Sequence, residues 1–476
     1  MSYKHGIYIS EVATSIVPPV RVSAGLPVVF GTAPVHLAAD PAEVNKPVLC
    51  YTYGEAVSQL GYHADWGKYT LCEFIKSHFA LFKMAPVVFV NVLDPAVHKK
   101  EVNQTITLTN SVGTIKSSEV IITSLVVKKQ DGTKLTAGTN YHSAYDDNGY
   151  VVLTSTGNDT EFVCTYSEVD PGLVTGSADI VGGIDNSTGK QEGLELVDAV
   201  FPYFRLVPGL IVAPGWSHDP TVSAVMAAKA ESINGIFKAL ALTDIPTSTV
   251  KKYTDVPNWK NQNNYTSTRQ VACWPKVKLG GDIYHLSTQA AGVLCKTDSE
   301  NNDVPYVSPS NHNLQANGAC LADGTEVYLD LQQANYLNGE GIVTALNFIG
   351  GWKLWGNRTA AYPANTDPKD AFIPIRRMFD WHGNTFIQTY WQKVDAPTNR
   401  RLIDTVIDSE NIRLNGFTAR EYILGGRVEF LKEENPVTDL MDGIIRFHTY
   451  MTPPSPAREI SNTLEYDISY LKTLFS

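Results

Sequence analysis

The stretch "GLPVVFGTAP" (residues 25–34) sets the architecture. Leu26, Val28, Val29 and Phe30 form a short run that is apolar on both sides, bounded by glycines and Pro34, which reads as a fully buried strand rather than a half-exposed one. "GEAVSQLG" (54–61) then opens a short helix and "WGKYTLCEFIKSHFALF" (66–82) an amphipathic one. "PVVFVNVL" (86–93) is a second buried strand. Strand, helix, strand is the grammar of an α/β domain.

Upstream of that strand, "HGIYISEVATSIVPPV" (5–20) is extended and closed by Pro18 and Pro19, so it reads as a stiff arm. Downstream the texture changes at about Val97. "NQTITLTN", "EVIITSLVVKK", "YVVLTSTG" and "EFVCTYS" are short Thr- and Val-rich strands between polar turns such as "KQDGTK" and "DDNGY". They predict an all-β module running to about Gly176 and inserted in a surface loop of the α/β domain.

The helical grammar returns with "EGLELVDAVFPYF" (192–204), the strand "GLIVAPG" (209–215) and "PTVSAVMAAKAESING" (220–235). A strand is expected within "RQVACWPKVKLGGDIYHLS" (269–287), then a polar loop region around 296–325. Regular strands are expected to resume across "LQQANYLNGEGIVTALNFIGGWKLWGNRT" (331–359). The last unit carries a long helix in "FIPIRRMFDWHGNTFIQTYWQKV" (372–394), a second in "NRRLIDTVIDSENIRLNG" (399–416), and paired terminal strands. The expected organisation is an arm at 1–20, an α/β domain at 21–96 and 177–360, a β-rich insertion at 97–176, a C-terminal α+β domain at 361–460, and a terminal strand at 461–476.

A chain of 476 residues, 43% hydrophobic and 18% charged, predicts two or more packed domains and excludes disorder over most of its length. The net charge of -11 disfavours nucleic acid or anionic membrane as the main partner. No apolar run approaches the ~20 residues of a bilayer span, and "MSYKHGIYIS" lacks the apolar core of a secretory signal, which places folding in a cytoplasm. The six cysteines are scattered without a CxxC pair and read as buried thiols.

Catalytic patterns fail on spacing. "GGIDNSTGKQ" (182–191) resembles a phosphate loop but has Ile184 where a glycine is needed and Gln191 where Ser or Thr would hold magnesium, so it reads as a glycine turn capping the next helix. "GWSHD" resembles a nucleophile elbow, yet Asp219 replaces the second glycine, and Ser217 or Asp219 reads as a helix start. Asp380, Trp381 and His382 lie on a helical stretch beside Phe379 and Phe386, which predicts packing. The histidines show no HxH or HExxH spacing. No catalytic, cofactor-binding or metal-binding residue is assigned, and no cofactor.

The end of the chain poses a different question. In "NTLEYDISYL" (462–471), Leu464, Tyr466, Ile468 and Tyr470 alternate with Glu465, Asp467 and Ser469, the period of a half-buried strand. A terminal strand presents unpaired backbone groups that proteins hide or exploit, and exploiting them means adding a strand to another sheet.

"GWKLWGNRT" (351–359) resembles the W-G-x-R-T signature of contractile tail sheath proteins of myophages and R-type bacteriocins, carried here by Trp355, Gly356, Asn357, Arg358 and Thr359. The opening "HGIYISEV", "GTAP", "VGGID", "LIVAPGWS" and the ending "GIIRFHTYMTPPSPAREISNTLEYDISYL" follow in the order such sheaths show. The 97–176 module lies outside the resemblance, and Asn186 stands where a later glycine is often seen.

The resemblance implies a mixed α/β, multidomain fold and a structural subunit, not an enzyme. Such subunits form a helical sleeve around an inner tail tube, which contracts to drive the tube through a bacterial envelope. It implies that Ile7, Tyr8, Ile9 and Val12 of one arm and Leu464, Tyr466, Ile468 and Tyr470 of the other exchange strands between copies, hinging near "TSIVPPVRV" and "TPPSPARE". Partners implied are other copies of the chain, the tube, baseplate and tail terminator proteins, with no direct nucleic acid contact and no membrane insertion. The location implied is a virion tail or phage-derived particle assembled in the host cytoplasm. Arg400 and Arg401, at a helix start in an acidic chain, are candidates to face the tube. A glycan-binding tail accessory and an α/β hydrolase or transferase are the alternatives.

Overall fold

The computed structural model describes residues 20–21 and 24–475. Its centre is an eight-stranded sheet made of β1 (Pro27–Gly31), β2 (Val48–Cys50), β3 (Val87–Asn91), β4 (Leu210–Val212), β5 (Leu240–Asp244), β6 (Gln270–Cys273), β7 (Ile342–Asn347) and β8 (Trp352–Trp355). The order across the sheet is β8-β7-β6-β5-β4-β1-β3-β2. The six inner strands are parallel, with Ile211 beside Val28 and Ala241, and the two edge strands are antiparallel.

The apolar strands are buried on both faces, which is what a parallel sheet covered on both sides demands. Val29, Phe89 and Leu242 face one core, shared with Leu286, Ala290 and Leu294 of α2 (Leu286–Glu300). Val28, Phe30 and Ile211 face the other, shared with Val222 and Met226 of α1 (Pro220–Glu231). The 66–82 segment is a helix over Thr70–Ile75 that continues into wider π-type turns over Lys76–Phe82. The turns over Thr70–Ile75 are buried on every side, whereas Lys76, Ala80 and Leu81 of the wider turns reach the surface, so the amphipathic face is confined to the last part.

Residues 99–169 form two three-stranded antiparallel sheets around their own apolar cluster, which includes Ile106, Val127, Leu153 and Phe162. The region is held to the α/β body by His36 Nε2 against the Ser118 carbonyl at 2.8 Å and by Lys68 paired with Glu119 at 2.7 Å. All six cysteines are buried free thiols.

Two stretches differ from the sequence reading. Leu331–Gly339 is a helix (α3), not a strand, started by a capping box in which Asp330 accepts from the Gln333 N–H and Gln333 accepts from the Asp330 N–H. Residues 462–471 are not a strand in the single subunit: the chain is irregular to residue 467 and forms a 3₁₀ turn over Ile468–Phe475. A strand needs a ladder partner, and among the described residues none lies beside it; the Ser469 N–H bonds the Asp467 side chain instead.

Helix α4 (Ile373–Tyr390) is tied to the α/β body by buried ion pairs. Arg377 forks onto Asp298 of α2, and Arg269 bonds Asp380 at 2.9 and 3.2 Å. The chain divides by its contacts into one compact unit through Pro397 and a second from Thr398. In the second, α5 (Arg400–Ala419) covers a hairpin of β9 (Gly425–Glu429) and β10 (His448–Thr452), burying Val406, Leu414, Phe417, Val428 and Met451.

Candidate functional site

The second unit holds the geometry that bears on assembly. Its sheet has only two strands, paired from Gly425 with Thr452 to Glu429 with His448, so each strand has one outer edge. On β9 that edge is stopped at Val428, whose N–H and carbonyl are both bonded by the side-chain amide of Asn411 on α5. Among the described residues, no strand covers the outer edge of β10. Unpaired backbone groups on such an edge are a template for a strand from elsewhere.

The exposed terminal segment carries the apolar side chains that a docking strand would bury. Leu464 is 87% exposed and Ile468 71%, with Tyr466 and Tyr470 similarly open. Four large apolar groups are thus exposed along one segment. Ile7, Tyr8, Ile9 and Val12 lie outside the described residues.

Trp355 to Thr359 form a structural joint. Trp355 Nε1 donates to Asn335 Oδ1 of α3 at 3.2 Å. Gly356 has φ +131°, and a Cβ there would stand 2.6 Å from Asn338 Oδ1 and 3.2 Å from the Val343 backbone, so the position takes only glycine. The Arg358 guanidinium lies over the Phe372 ring at 3.7 Å and the Tyr362 ring at 4.3 Å. Thr359 is buried and donates to the Asp370 carbonyl at 2.6 Å, while the Asn357 carbonyl accepts from the Ile373 N–H. Together these bonds return the chain from edge strand β8 to the start of α4.

Arg400 and Arg401 sit in the first turn of α5, where Arg400 pairs with Asp404 on the exposed face. The residues weighed for catalysis do not converge. Ser217 is buried beyond the carboxyl end of β4 and bonds Asp244, whereas Asp380 bonds Arg269 at the amino end of β6. Residues 182–191 make a small hairpin, with Gly183–Ile184 against Gln191–Glu192 and Asp185 accepting from Ser187 and Thr188.

This fold, a doubly wound body with a helix-and-hairpin unit after it, is that of contractile-sheath chains. It matches a chain of the anti-feeding prophage baseplate with a TM-score of 0.58, at 15% identity and covering 98% of this chain and 100% of that one. It also matches the sheath of an extracellular contractile injection system in its contracted state, with a TM-score of 0.56 at 14% identity and 99% coverage of both. In sequence, the chain is 28% identical to the tail sheath protein of Burkholderia phage BcepMu over 496 aligned positions, 99% of this chain and 98% of that protein. It is 24% identical to a putative prophage major tail sheath protein of Pseudomonas aeruginosa over 296 positions, 61% of this chain and 73% of the other. No family profile matches it. The resemblance to contractile tail sheath proteins thus extends over the whole chain, in sequence and in fold.

Proposed function

We propose that this protein is the structural subunit of a contractile sheath, polymerising as a helical sleeve around an inner tube and contracting to drive that tube through a bacterial envelope. The observation that carries the reading is similarity to a phage tail sheath protein along 99% of the chain. A head-to-tail contact that does not close generates such a helix. Contraction needs no nucleotide: the drive is a free-energy difference between two packings of the same subunits, set at assembly.

In this reading the terminal arms, 1–20 and 461–476, join copies by strand exchange through Ile7, Tyr8, Ile9 and Val12 at one end and Leu464, Tyr466, Ile468 and Tyr470 at the other. The open edge of β10 supports this, being a free ladder within the unit that carries one arm. Arg400 and Arg401 are assigned to the tube-facing side. The partners are further copies, the tube, the baseplate and the tail terminator; a baseplate chain is among the fold's matches. Residues 97–176 form an outward decoration. The protein performs no catalysis, binds no nucleic acid directly and inserts in no membrane, and the particle is a phage tail or phage-derived tail assembled in the host cytoplasm.

Electron microscopy of the purified full chain tests the reading. Tubular polymers are expected. Discrete trimers that bind saccharide would replace it with the glycan-binding alternative.

A further inference from the structure

Beyond the carboxyl ends of β4, β5 and β6 the first unit has a cleft of about 280 Å³. It lies close to where the strand order reverses, since the chain leaves β1 for β3 on one side and returns as β4 on the other. Crevices of this kind are where open α/β sheets bind ligands.

Three basic side chains from separate elements line it: His218 after β4, Lys276 after β6, and His285 just before α2. Lys276 makes no ion pair within 4 Å among the described residues. His285 holds Nδ1 against the buried Glu73 carboxylate at 2.7 Å, which leaves Nε2 outside that pair. Thr247 is 4% exposed, lines the same cleft, and its hydroxyl has no hydrogen-bond partner.

The nearby carboxylates do not compete for these donors. Asp244 already accepts from Ser217 Oγ, the Ser287 N–H and Ser287 Oγ, and Glu73 accepts twice from His285. Two of the amides at the start of α2 are used in this way, that of His285 on Glu73 and that of Ser287 on Asp244. A buried hydroxyl without a partner and a lysine that touches no carboxylate, although Glu73 acts on it at longer range, both represent unmet bonding capacity.

We propose that this cleft binds a small oxyanion, a carboxylate or phosphate group, with Lys276 supplying the countercharge and His218, His285 and Thr247 donating hydrogen bonds. The site is independent of the sheath reading. Burial, then the neighbouring His285, lowers the His218 pKa, and an anion seated there opposes that shift. Among the groups around His218, Asp244 and Asp219 also act to raise it and Lys276 to lower it.

Titration calorimetry on the full chain at pH 6.5, with inorganic phosphate and with acetate against chloride at matched ionic strength, tests the site, the two anions separating phosphoryl from carboxylate ligands. One saturable site is expected for at least one of them, weakened roughly tenfold or more in Lys276→Gln. The His218 and His285 ring signals of the native chain should shift on the same binding curve. Heats no different from chloride, static ring signals, or unchanged affinity in a folded Lys276→Gln variant would overturn the assignment.

Discussion

The side-chain amide of Asn411 bonds both backbone groups of Val428, donating Nδ2–H to the carbonyl at 3.1 Å and accepting the N–H on Oδ1 at 2.9 Å. A helix side chain thereby stands in for a neighbouring strand. Asn411→Ala leaves a half-buried N–H and carbonyl without partners, and is expected to lower the stability of the second unit by about 1–3 kcal/mol. Urea unfolding followed by a probe within residues 398–452 measures it; an unchanged midpoint would mean that water replaces the amide at no cost.

His78 is buried, stacks on Phe74 at 3.9 Å between ring centres, and neither ring nitrogen has a hydrogen-bond partner. Burial lowers its pKa to about 3 from an ordinary 6.5. The unfolded chain therefore takes up a proton below pH 6.5 that the folded chain refuses until about pH 3, so this histidine's share of stability is complete above 6.5 and drains away between the two. The slope is at most about 1.4 kcal/mol per pH unit. His78→Phe should flatten the stability profile between pH 6 and 4 in about that proportion. Parallel profiles for the two proteins would place the acid sensitivity elsewhere.

At Gly356 both the backbone angle and the surrounding space exclude a side chain. Gly356→Ala should cost more than about 1 kcal/mol, with the strain falling on the α3–β7 junction. Thermal unfolding checks this, with Gly383→Ala as a control, because a Cβ there meets nothing within 4 Å. Equal melting points for the two variants would contradict the strain argument.

Ending the chain at Ser461, placing proline at Ile468, or deleting residues 1–17 should each give a soluble monomer that melts like the native subunit but makes no tubes. At the carboxyl end, Leu464, Tyr466, Ile468 and Tyr470 are exposed in the single subunit, so little of its core is lost with them. Proline removes a ladder donor and disfavours extended pairing around it. Sleeves formed by any of these variants would rule out the exchange for that arm.

Replacing residues 100–168 with a short Gly/Ser linker should leave the α/β body folded and able to polymerise. The cut stops before Val169 and Val174, which are buried in the core of the body. Loss of soluble expression would make the insertion part of the folding unit.

The α/β body was legible because strands such as 26–31 and 87–91 are apolar on both faces, a local pattern with one structural meaning. The 355–359 joint was legible as a motif, though its role in returning the chain to α4 appears only in space. Helix α3 is hard to see in the sequence although Asp330 and Gln333 spell out its capping box, since the Asn- and Gly-rich run around them hides the period. The attachment of α4 to the body depends on Asp298 and Arg269, distant in sequence from their partners. Alternation at 464–470 states which faces a strand would have, but not whether one chain contains its partner. The cleft draws Lys276, His218, His285 and Thr247 from separate segments, so nothing local announces it.

Lys99 and Val169, the first and last residues of the inserted region's longest ladder, are paired directly across it. The excursion of 99–169 therefore leaves the body and comes back through two backbones about 5 Å apart. Along the backbone the whole excursion enters and leaves like a tight turn, with side contacts such as His36 to Ser118 and Lys68 to Glu119 fastening it further. A change in the length or content of residues 100–168 would therefore leave the register of the eight-stranded sheet where it is.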